Sequence, residues 1–480
     1  MRKENPRLPN TELCAKLISI ENINEAIAKV KKNKGSSGID KMNVCELEAY
    51  VHEHLDEIRS RILARTYRPK AVRRVEIPKD NGKTRMLGIP TVLDRMIQQA
   101  VVQVITPLFE PTFSDYSYGY RPGKSAEDAV RQAQTYIAEG YRFVVDMDLS
   151  KFFDTVNHDK LMGMVDETLP DKDIRRLIFS FLKSGVMDNG VKVDTDIGTP
   201  QGGVISPLLS NIYLTPFAKE MEKRGVKYIV YADDIQLFAK SMMASYRIKD
   251  NAIKYLEKKL KLQINKEKTK VGKANGAKIL GFVFQTRGKK FEDGSIKVGR
   301  CVPRSKSFEK LKARIREITK RNRGVSLSMV ISQLNSLIRG WINYYARSSI
   351  KSKLTEIMQW MRRRVRQYAY KLWKTSKNRK HQLRLLGIEE WKIKRVKCSS
   401  RSYWKMAGVM NRYITNNIIT ENFGLIDGVQ LYVERNEKSK LKDKETQEIN
   451  FLEKQRKLEL EGKALFEDDY YYFNYIRFIC

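Results

Sequence analysis

Two rhythms of apolar and polar positions run through roughly the first three hundred residues. In Asn22–Lys32, Leu47–Ala64 and Val92–Ile105 apolar side chains return every three to four positions, the spacing of one buried helix face. Phe143–Asp148 and Lys227–Tyr231 are short β-branched and aromatic runs and predict strands. Gly88-Ile89-Pro90, Arg121-Pro122-Gly123 and Gly198-Thr199-Pro200 punctuate these segments and predict loops. Beyond residue 300 the helical rhythm takes over. Leu311, Ile315 and Ile318 recur at i, i+4 and i+7, and Met361, Val365, Tyr368 and Leu372 repeat that pattern.

Charge sets the helical region apart. The 480-residue chain carries 92 Lys+Arg against 56 Asp+Glu, a formal net charge of +36. Residues 301–410 hold 29 of the bases and 5 of the acids, a local charge of +24. Helix faces that only meet water mix both signs, so this excess predicts a polyanionic partner, with nucleic acid leading. Residues 437–480 are nearly neutral, with 9 basic and 10 acidic groups. A hydrophobic fraction of 41% with 10% aromatics excludes a wholly disordered chain. No apolar run approaches the ~20 residues of a membrane span. No apolar signal region follows Met1-Arg2-Lys3-Glu4-Asn5-Pro6, so a cytoplasmic protein without a membrane partner is expected. Cys14, Cys45, Cys301, Cys398 and Cys480 are too scattered for a paired metal-ligand motif or a disulfide framework, and reduced thiols are expected.

Two segments carry candidate chemistry. In Phe143-Val144-Val145-Asp146-Met147-Asp148-Leu149-Ser150-Lys151-Phe152-Phe153-Asp154 an apolar strand runs into carboxylates. In Tyr228-Ile229-Val230-Tyr231-Ala232-Asp233-Asp234-Ile235-Gln236-Leu237-Phe238 a second strand does the same and turns back at once, which predicts a tight hairpin with acids at its tip. Asp is a poor strand residue and gathered carboxylates repel, so a fold that collects them needs a cation. Oxygen ligands select Mg²⁺ over zinc, and two such ions about 3.5–4 Å apart suit phosphoryl transfer. Between the two lies Gly198-Thr199-Pro200-Gln201-Gly202-Gly203-Val204-Ile205-Ser206-Pro207, a glycine-bearing loop that opens a helix and presents Gln201.

These segments, in this order, resemble the palm of reverse transcriptases. Tyr118-Gly119-Tyr120-Arg121-Pro122-Gly123-Lys124-Ser125 and Phe153-Asp154-Thr155-Val156-Asn157-His158-Asp159-Lys160-Leu161 narrow the resemblance to the group II intron type. Gly340-Trp341-Ile342-Asn343-Tyr344-Tyr345 is similar to its thumb or maturase segment, and Ser402-Tyr403-Trp404-Lys405-Met406 to the DNA-binding region of bacterial class C members. The resemblance implies an α+β right-hand polymerase fold: fingers and palm of antiparallel sheet plus helices, an α-helical thumb/maturase domain, and a basic C-terminal region. Its implied divisions are 1–140 (N-terminal extension and fingers), 141–300 (palm with the catalytic centre), 301–380 (thumb/maturase), 381–436 (basic, DNA-binding-like) and 437–480 (charged helical and tyrosine-rich tail).

Residue by residue, the resemblance makes Asp148, Asp233 and Asp234 catalytic, and Asp148, Leu149, Asp233 and Asp234 the positions that hold two Mg²⁺ ions, with Mn²⁺ able to substitute. Phe153 matches the gate that excludes a ribose 2′-OH, Gln201 a nucleotide contact, and Lys79 and Arg85 the finger residues that grip the triphosphate. Lys268 matches a lysine near the leaving pyrophosphate, with Lys266 and Lys270 left open as alternatives. Arg362, Arg363, Arg364, Arg366, Arg401 and Lys405 are expected to contact nucleic acid. Trp341, Tyr344 and Tyr345 read as thumb core, whereas Tyr403 and Trp404 stand open between core and nucleic-acid contact. His158 reads as structural.

The implied function is RNA-directed DNA polymerisation, a nucleotidyl transfer, with dNTPs, an RNA template, a DNA primer or product and a structured RNA as partners; a homo-oligomer stays open. No endonuclease-type Cys pairs or His-Asn-His core follow Gly424, so no strand cleavage is expected. Two other readings remain: an antiphage-defence enzyme copying its own noncoding RNA, primed from Tyr470, Tyr471, Tyr472 or Tyr475, and a non-enzymatic splicing cofactor. Clustered like charges argue against the last, because a pure binder gains nothing from them.

Overall fold

Ser19, Thr91, Ser125 and Asn157 each precede an apolar-periodic run, and each caps a helix by accepting a backbone N–H. The helices they start are Ile20–Asn33, Val92–Phe109, Ala126–Ala138 and His158–Thr168. The computed structural model describes residues 11–78, 82, 84–150, 152–188, 191–193, 198, 202–285, 301–396, 399 and 402–460. The described residues divide into two compact units, one within residues 11–280 and the other within 281–285 and 301–460.

In the first unit, Ile20–Asn33 packs on Val92–Phe109, with Ile23, Ile27, Val30, Met96, Val101 and Ile105 in one buried cluster. Each such side chain contributes about 1.5–3 kcal/mol on burial. Asn22 lies buried between the helices because its amide donates to the Leu17 and Ala100 carbonyls at 2.9 and 3.2 Å. The strands of the unit's two main sheets are β1 (Val72–Pro78), β2 (Thr84–Ile89), β3 (Phe143–Asp148), β4 (Val186–Asp188), β5 (Val191–Val193), β6 (Lys227–Tyr231), β7 (Asp234–Ala239) and β8 (Lys270–Lys273). They form two four-stranded sheets, β2-β1-β4-β5 and β6-β7-β3-β8. All neighbours are antiparallel except β1 and β4.

Gly88 and Ile89 are not loop residues. They end β2, where Gly88 lacks a side chain and its carbonyl lies so close to Gly202 that a Cβ on Gly202 would sit 2.6 Å away. Backbone-to-backbone approach between strand and loop explains Gly202.

The second unit is helical apart from a short antiparallel ribbon, Phe282–Phe284 with Cys301–Pro303. Its helices Ser305–Ile318, Leu327–Tyr345, Lys351–Leu372 and Gly428–Leu460 bury Leu311, Ile315, Leu334, Ile338, Ile357, Met361 and Val365. Leu372 departs from the expected stripe and is exposed, at the last turn of its helix. Trp341 and Tyr345 pack with ring centroids 4.8 Å apart, while Tyr344 stays exposed. Cys14 and Cys301 are buried thiols and Cys45 an exposed one, none of them in a disulfide; burial pushes the Cys301 thiol up to about 12. No described helix is long and apolar enough to cross a membrane.

Candidate active site

The sheet β6-β7-β3-β8 is built from strands whose middles are too apolar to face water: Val144, Val145, Ile229, Val230, Leu237 and Phe238 are all buried. Of the polar residues, Asp146 and Gln236 pair in the middle of β3 and β7, and the remaining carboxylates stand at the strand ends. The register sets Asp148, the last residue of β3, directly opposite Asp234, the first residue of β7. Cross-strand neighbours have Cβ atoms about 4.5–5.5 Å apart, and like charges so placed destabilise a sheet. Asp233 sits beside them in the turn that joins Tyr231 to Asp234. The hairpin is therefore as tight as expected, with one acid in the turn and the other already in strand.

A cation meets this charge. The loop after Ile264 returns to the end of β3: Asn265 N–H donates to the Asp148 carbonyl at 2.9 Å and Ser150 N–H to the Gln263 carbonyl at 2.8 Å. That places Lys268, whose ammonium donates to the Asp148 carboxylate at 3.0 Å. Leu149 stands opposite Ile264 in this bridge, and the bonds on either side belong to Asp148 and Ser150. The main-chain carbonyl of Leu149 therefore points away from Ile264, as in any non-hydrogen-bonded antiparallel pair.

Among the described residues, no group of three or more His, Cys, Asp or Glu side chains is arranged to hold a metal ion. The backbone nonetheless collects an all-oxygen donor set, and Asp148 already carries a positive group in Lys268. Hard divalent cations take that chemistry.

The turn is held from behind by residues to which the sequence assigned no role in the site. Ala232 adopts a left-handed φ of +57°, a conformation that costs about 1–3 kcal/mol in a residue with a Cβ. Tyr118 N–H donates to Val230 at 2.8 Å and Val230 N–H to Tyr116 at 3.0 Å. Gly119 then lies against the turn so closely that a Cβ would be 2.2 Å from the Ala232 nitrogen. Asn211, buried on helix Ser206–Lys223, fixes Gly119 by donating to its carbonyl at 2.9 Å. Arg121, buried too, donates to the Ser117 carbonyl at 2.8 Å and to Glu110 at 2.9 Å, and so holds the same segment.

His158 is buried and bonds the Gly198 carbonyl, anchoring the start of the glycine-bearing loop to its helix. Gly198 has φ +94°, and a Cβ there would lie 3.0 Å from the Phe153 and Asp154 carbonyls. Phe153 is buried in the turn of helix that follows β3, its ring 5.2 Å from Phe152. Arg85 lies on β2 opposite Ile77. Lys79, Gln201, Arg401 and the tyrosines Tyr470, Tyr471, Tyr472 and Tyr475 lie outside the described residues.

The arginines of helix Lys351–Leu372 turn inward. Arg362 is 9% exposed and donates to Asp427 at 3.1 Å; Arg366 is 4% exposed and donates to the Ile414 carbonyl at 2.6 Å and to Asn416 at 2.8 Å. Arg363 donates to the Trp404 carbonyl at 3.1 Å and lies 4.1 Å over its ring. Arg364 donates to Thr319 at 2.6 Å. The expectation that these four contact nucleic acid is corrected for Arg362 and Arg366, whose guanidinium groups are internal struts. Helix spacing holds the reason: Met358, Arg362, Arg366 and Tyr370 are four apart and share one buried stripe. Trp404 is half-buried under Arg363, and Lys405 is exposed. The exposed indole of this stretch is Trp391, 54% exposed and flanked by Lys392 and Arg395, each 5.2 Å from its ring.

Burial pulls the Arg366 guanidinium down to about 10, with Arg362 adding to the effect, so it is still charged at neutral pH. Replacing it by leucine strands a carbonyl and an amide oxygen. Arg366→Leu is expected to lower stability by about 2–3 kcal/mol. Thermal unfolding should fall by roughly 5–10 °C, read by circular dichroism, whereas a nucleic-acid contact alone would leave the midpoint unchanged.

Helices braced on an antiparallel sheet that brings carboxylates together at one end make a polymerase palm. Residues 77–284 match the family model for reverse transcriptase (RNA-dependent DNA polymerase), and residues 308–387 that for the group II intron maturase-specific domain. Protein YkfC of Escherichia coli (strain K12) is 33% identical over 317 residues, covering 58% of this chain and 82% of YkfC. The group II intron-encoded protein LtrA of Lactococcus lactis subsp. cremoris is 35% identical over 225 residues, covering 47% of this chain and 36% of LtrA. The chain belongs to the reverse transcriptases, RNA-directed DNA polymerases, and among them to the group II intron type with a maturase-specific domain. A chain of the partial Cas6-RT-Cas1–Cas2 complex is 26% identical, with a TM-score of 0.34, covering 52% of this chain and 43% of that one.

Proposed function

We propose that this chain extends a DNA primer on an RNA template and holds a structured RNA of the group II intron kind, whose splicing it assists. The observation that carries the polymerase reading is the register of Asp148 against Asp234, with Asp233 in the adjoining turn. A fold built only to bind RNA would not place like charges face to face. The maturase-specific match at residues 308–387 supports the splicing role.

In this reading Asp148, Asp233, Asp234 and the main chain of Leu149 hold two Mg²⁺ ions, with Mn²⁺ as substitute. Bound ions supply charge neutralisation at the attacking and leaving oxygens. The primer 3′-OH attacks the α-phosphate of a dNTP in line, and pyrophosphate leaves. Lys79, Arg85 and Gln201 grip the nucleotide, the ring of Phe153 lies against its sugar and rejects a 2′-OH, and Lys268 exchanges Asp148 for the departing phosphates. Residues 1–140 act as fingers, 141–300 as palm, 301–380 as thumb, 381–436 as a DNA-binding region and 437–480 as a tail. With Arg362 and Arg366 turned inward, the RNA-facing charge falls to exposed bases such as Arg314, Arg316, Lys371 and Lys374, and Trp391 offers a stacking face.

Primer extension on an RNA template with dNTPs tests this. DNA product is expected with Mg²⁺ and none after chelation. RNA affinity should fall on the order of 10³-fold between roughly 50 and 200 mM salt, as 6–10 phosphate contacts require. No synthesis with either Mg²⁺ or Mn²⁺, or a salt-independent affinity, overturns the reading.

A further inference from the structure

A cavity of about 500 Å³ opens in the first unit between the C-terminal end of helix Leu47–Leu63 and helix Lys172–Leu182. Its lining residues come from positions 62–69 and 173–184, and none belongs to β3, β6 or β7. Its walls have two characters. Tyr67 and Leu177 form a buried apolar side, and Phe179, 37% exposed, stands at its edge. Arg68, Arg176 and Lys183 surround that side and are all exposed. Arg65 and Asp173 also line it and pair with each other; the lining as a whole carries four bases against one acid, and the Lys183 ammonium lies 5.9 Å over the Phe179 ring.

The cavity is built before any ligand arrives. Tyr67 is fixed by donating its hydroxyl to the buried carboxylate of Asp94 at 2.6 Å. Arg68 is held by donating to the carbonyls of Arg65 and Tyr67 at 3.0 and 3.1 Å. Arg65, with a left-handed φ of +61°, ends the helix and turns the chain along the cavity wall.

We propose that this cavity binds a nucleotide of single-stranded RNA, its phosphate among Arg68, Arg176 and Lys183 and its base on Phe179. The site rests on the reading that the chain holds RNA, and it gives that RNA an anchor separate from the carboxylates. Cations around a flat apolar surface match a nucleotide, because phosphate needs the first and a base the second. A free phosphate would use only the cations.

The test is photocrosslinking of the full chain to a short oligouridylate carrying 4-thiouridine, with adducts mapped by mass spectrometry. Adducts are expected on peptides covering 62–69 and 173–184. Phe179→Leu should lower their yield by about fivefold or more, the loss of one stacked base. The double variant Arg68→Gln, Arg176→Gln should lower it about tenfold and reduce the salt slope of binding by about 1.4. Circular dichroism of both variants should match wild type, since the replaced side chains are exposed. Adducts absent from both peptides while primer extension proceeds overturn the site and leave the polymerase standing. Adducts present without extension sink the polymerase reading instead. Competition by millimolar inorganic phosphate, with Phe179→Leu unchanged, marks a free-anion site and overturns the nucleotide assignment.

Discussion

Asp234→Asn is expected to remove DNA synthesis, by roughly a thousandfold or more, while leaving the protein at least as stable as before. The two halves of that expectation have one cause. Asp234 faces Asp148 across the β3–β7 register, so the two carboxylates repel across the strands by about 0.2–1 kcal/mol. Asparagine keeps the size and the hydrogen-bonding oxygen and removes the repulsion. If the carboxylate exists to hold a cation at the reacting phosphate, its loss forfeits about 4 kcal/mol of transition-state stabilisation, and each 1.36 kcal/mol is about tenfold in rate. Single-turnover primer extension and thermal unfolding, measured on the same preparation, separate the two. A variant that still extends primers within tenfold of wild type would falsify the assignment. One that loses synthesis by unfolding would show that Asp234 serves the sheet.

The acids at the hairpin tip were legible because the β6–β7 pairing is local, whereas the pairing of distant β3 with β7 that sets Asp148 opposite Asp234 was only implied by the resemblance. Phe143–Asp148 and Lys227–Tyr231 are short apolar runs that end in charge, and the turn between β6 and β7 is too short for any other pairing. Lys268 could not be separated from Lys266 and Lys270 by spacing, since all three lie within five positions, in the loop and at the first residue of β8. The structure turns Lys268 to Asp148 because Asn265 bonds back to the strand end and accepts from the Lys268 N–H at 3.3 Å.

The arginines failed differently. Composition counts charges without direction, and a helix can bury a guanidinium wherever carbonyls from its neighbours can accept. Arg366 finds Ile414 and Asn416, and Arg362 finds Asp427, on segments about 50 and 65 residues further along. Such partners are invisible to a local pattern. The stripe of Met358, Arg362, Arg366 and Tyr370 points inward as a unit.

Gly119 shows what no one-dimensional pattern carries. Its φ is not in the left-handed region, so no turn requires glycine there. The requirement is purely one of space. A Cβ would meet the Ala232 nitrogen at 2.2 Å and its Cα and the Tyr231 carbonyl carbon at 3.0 Å, all backbone atoms that no rotamer change can move aside. Gly119 cannot retreat either, because Asn211 holds its carbonyl and Tyr118 is bonded to β6. Gly119→Ala must therefore displace the turn, and with it Asp233 and Asp234. Overpacking of this kind costs about 1–3 kcal/mol of stability, which this chain's large core can absorb. The effect on synthesis is larger, since a shift near 1 Å in a reacting group costs about a hundredfold. Gly119→Ala is expected to fold, to bind RNA as wild type does, and to lose about a hundredfold in kcat for dNTP addition. Gly123→Ala provides the contrast: φ there is +72° but nothing lies within 4 Å of the new Cβ, so it should cost stability and spare the rate. Equal rates for Gly119→Ala and wild type would mean the turn has room to move, and that the carboxylates are not placed by the backbone behind them.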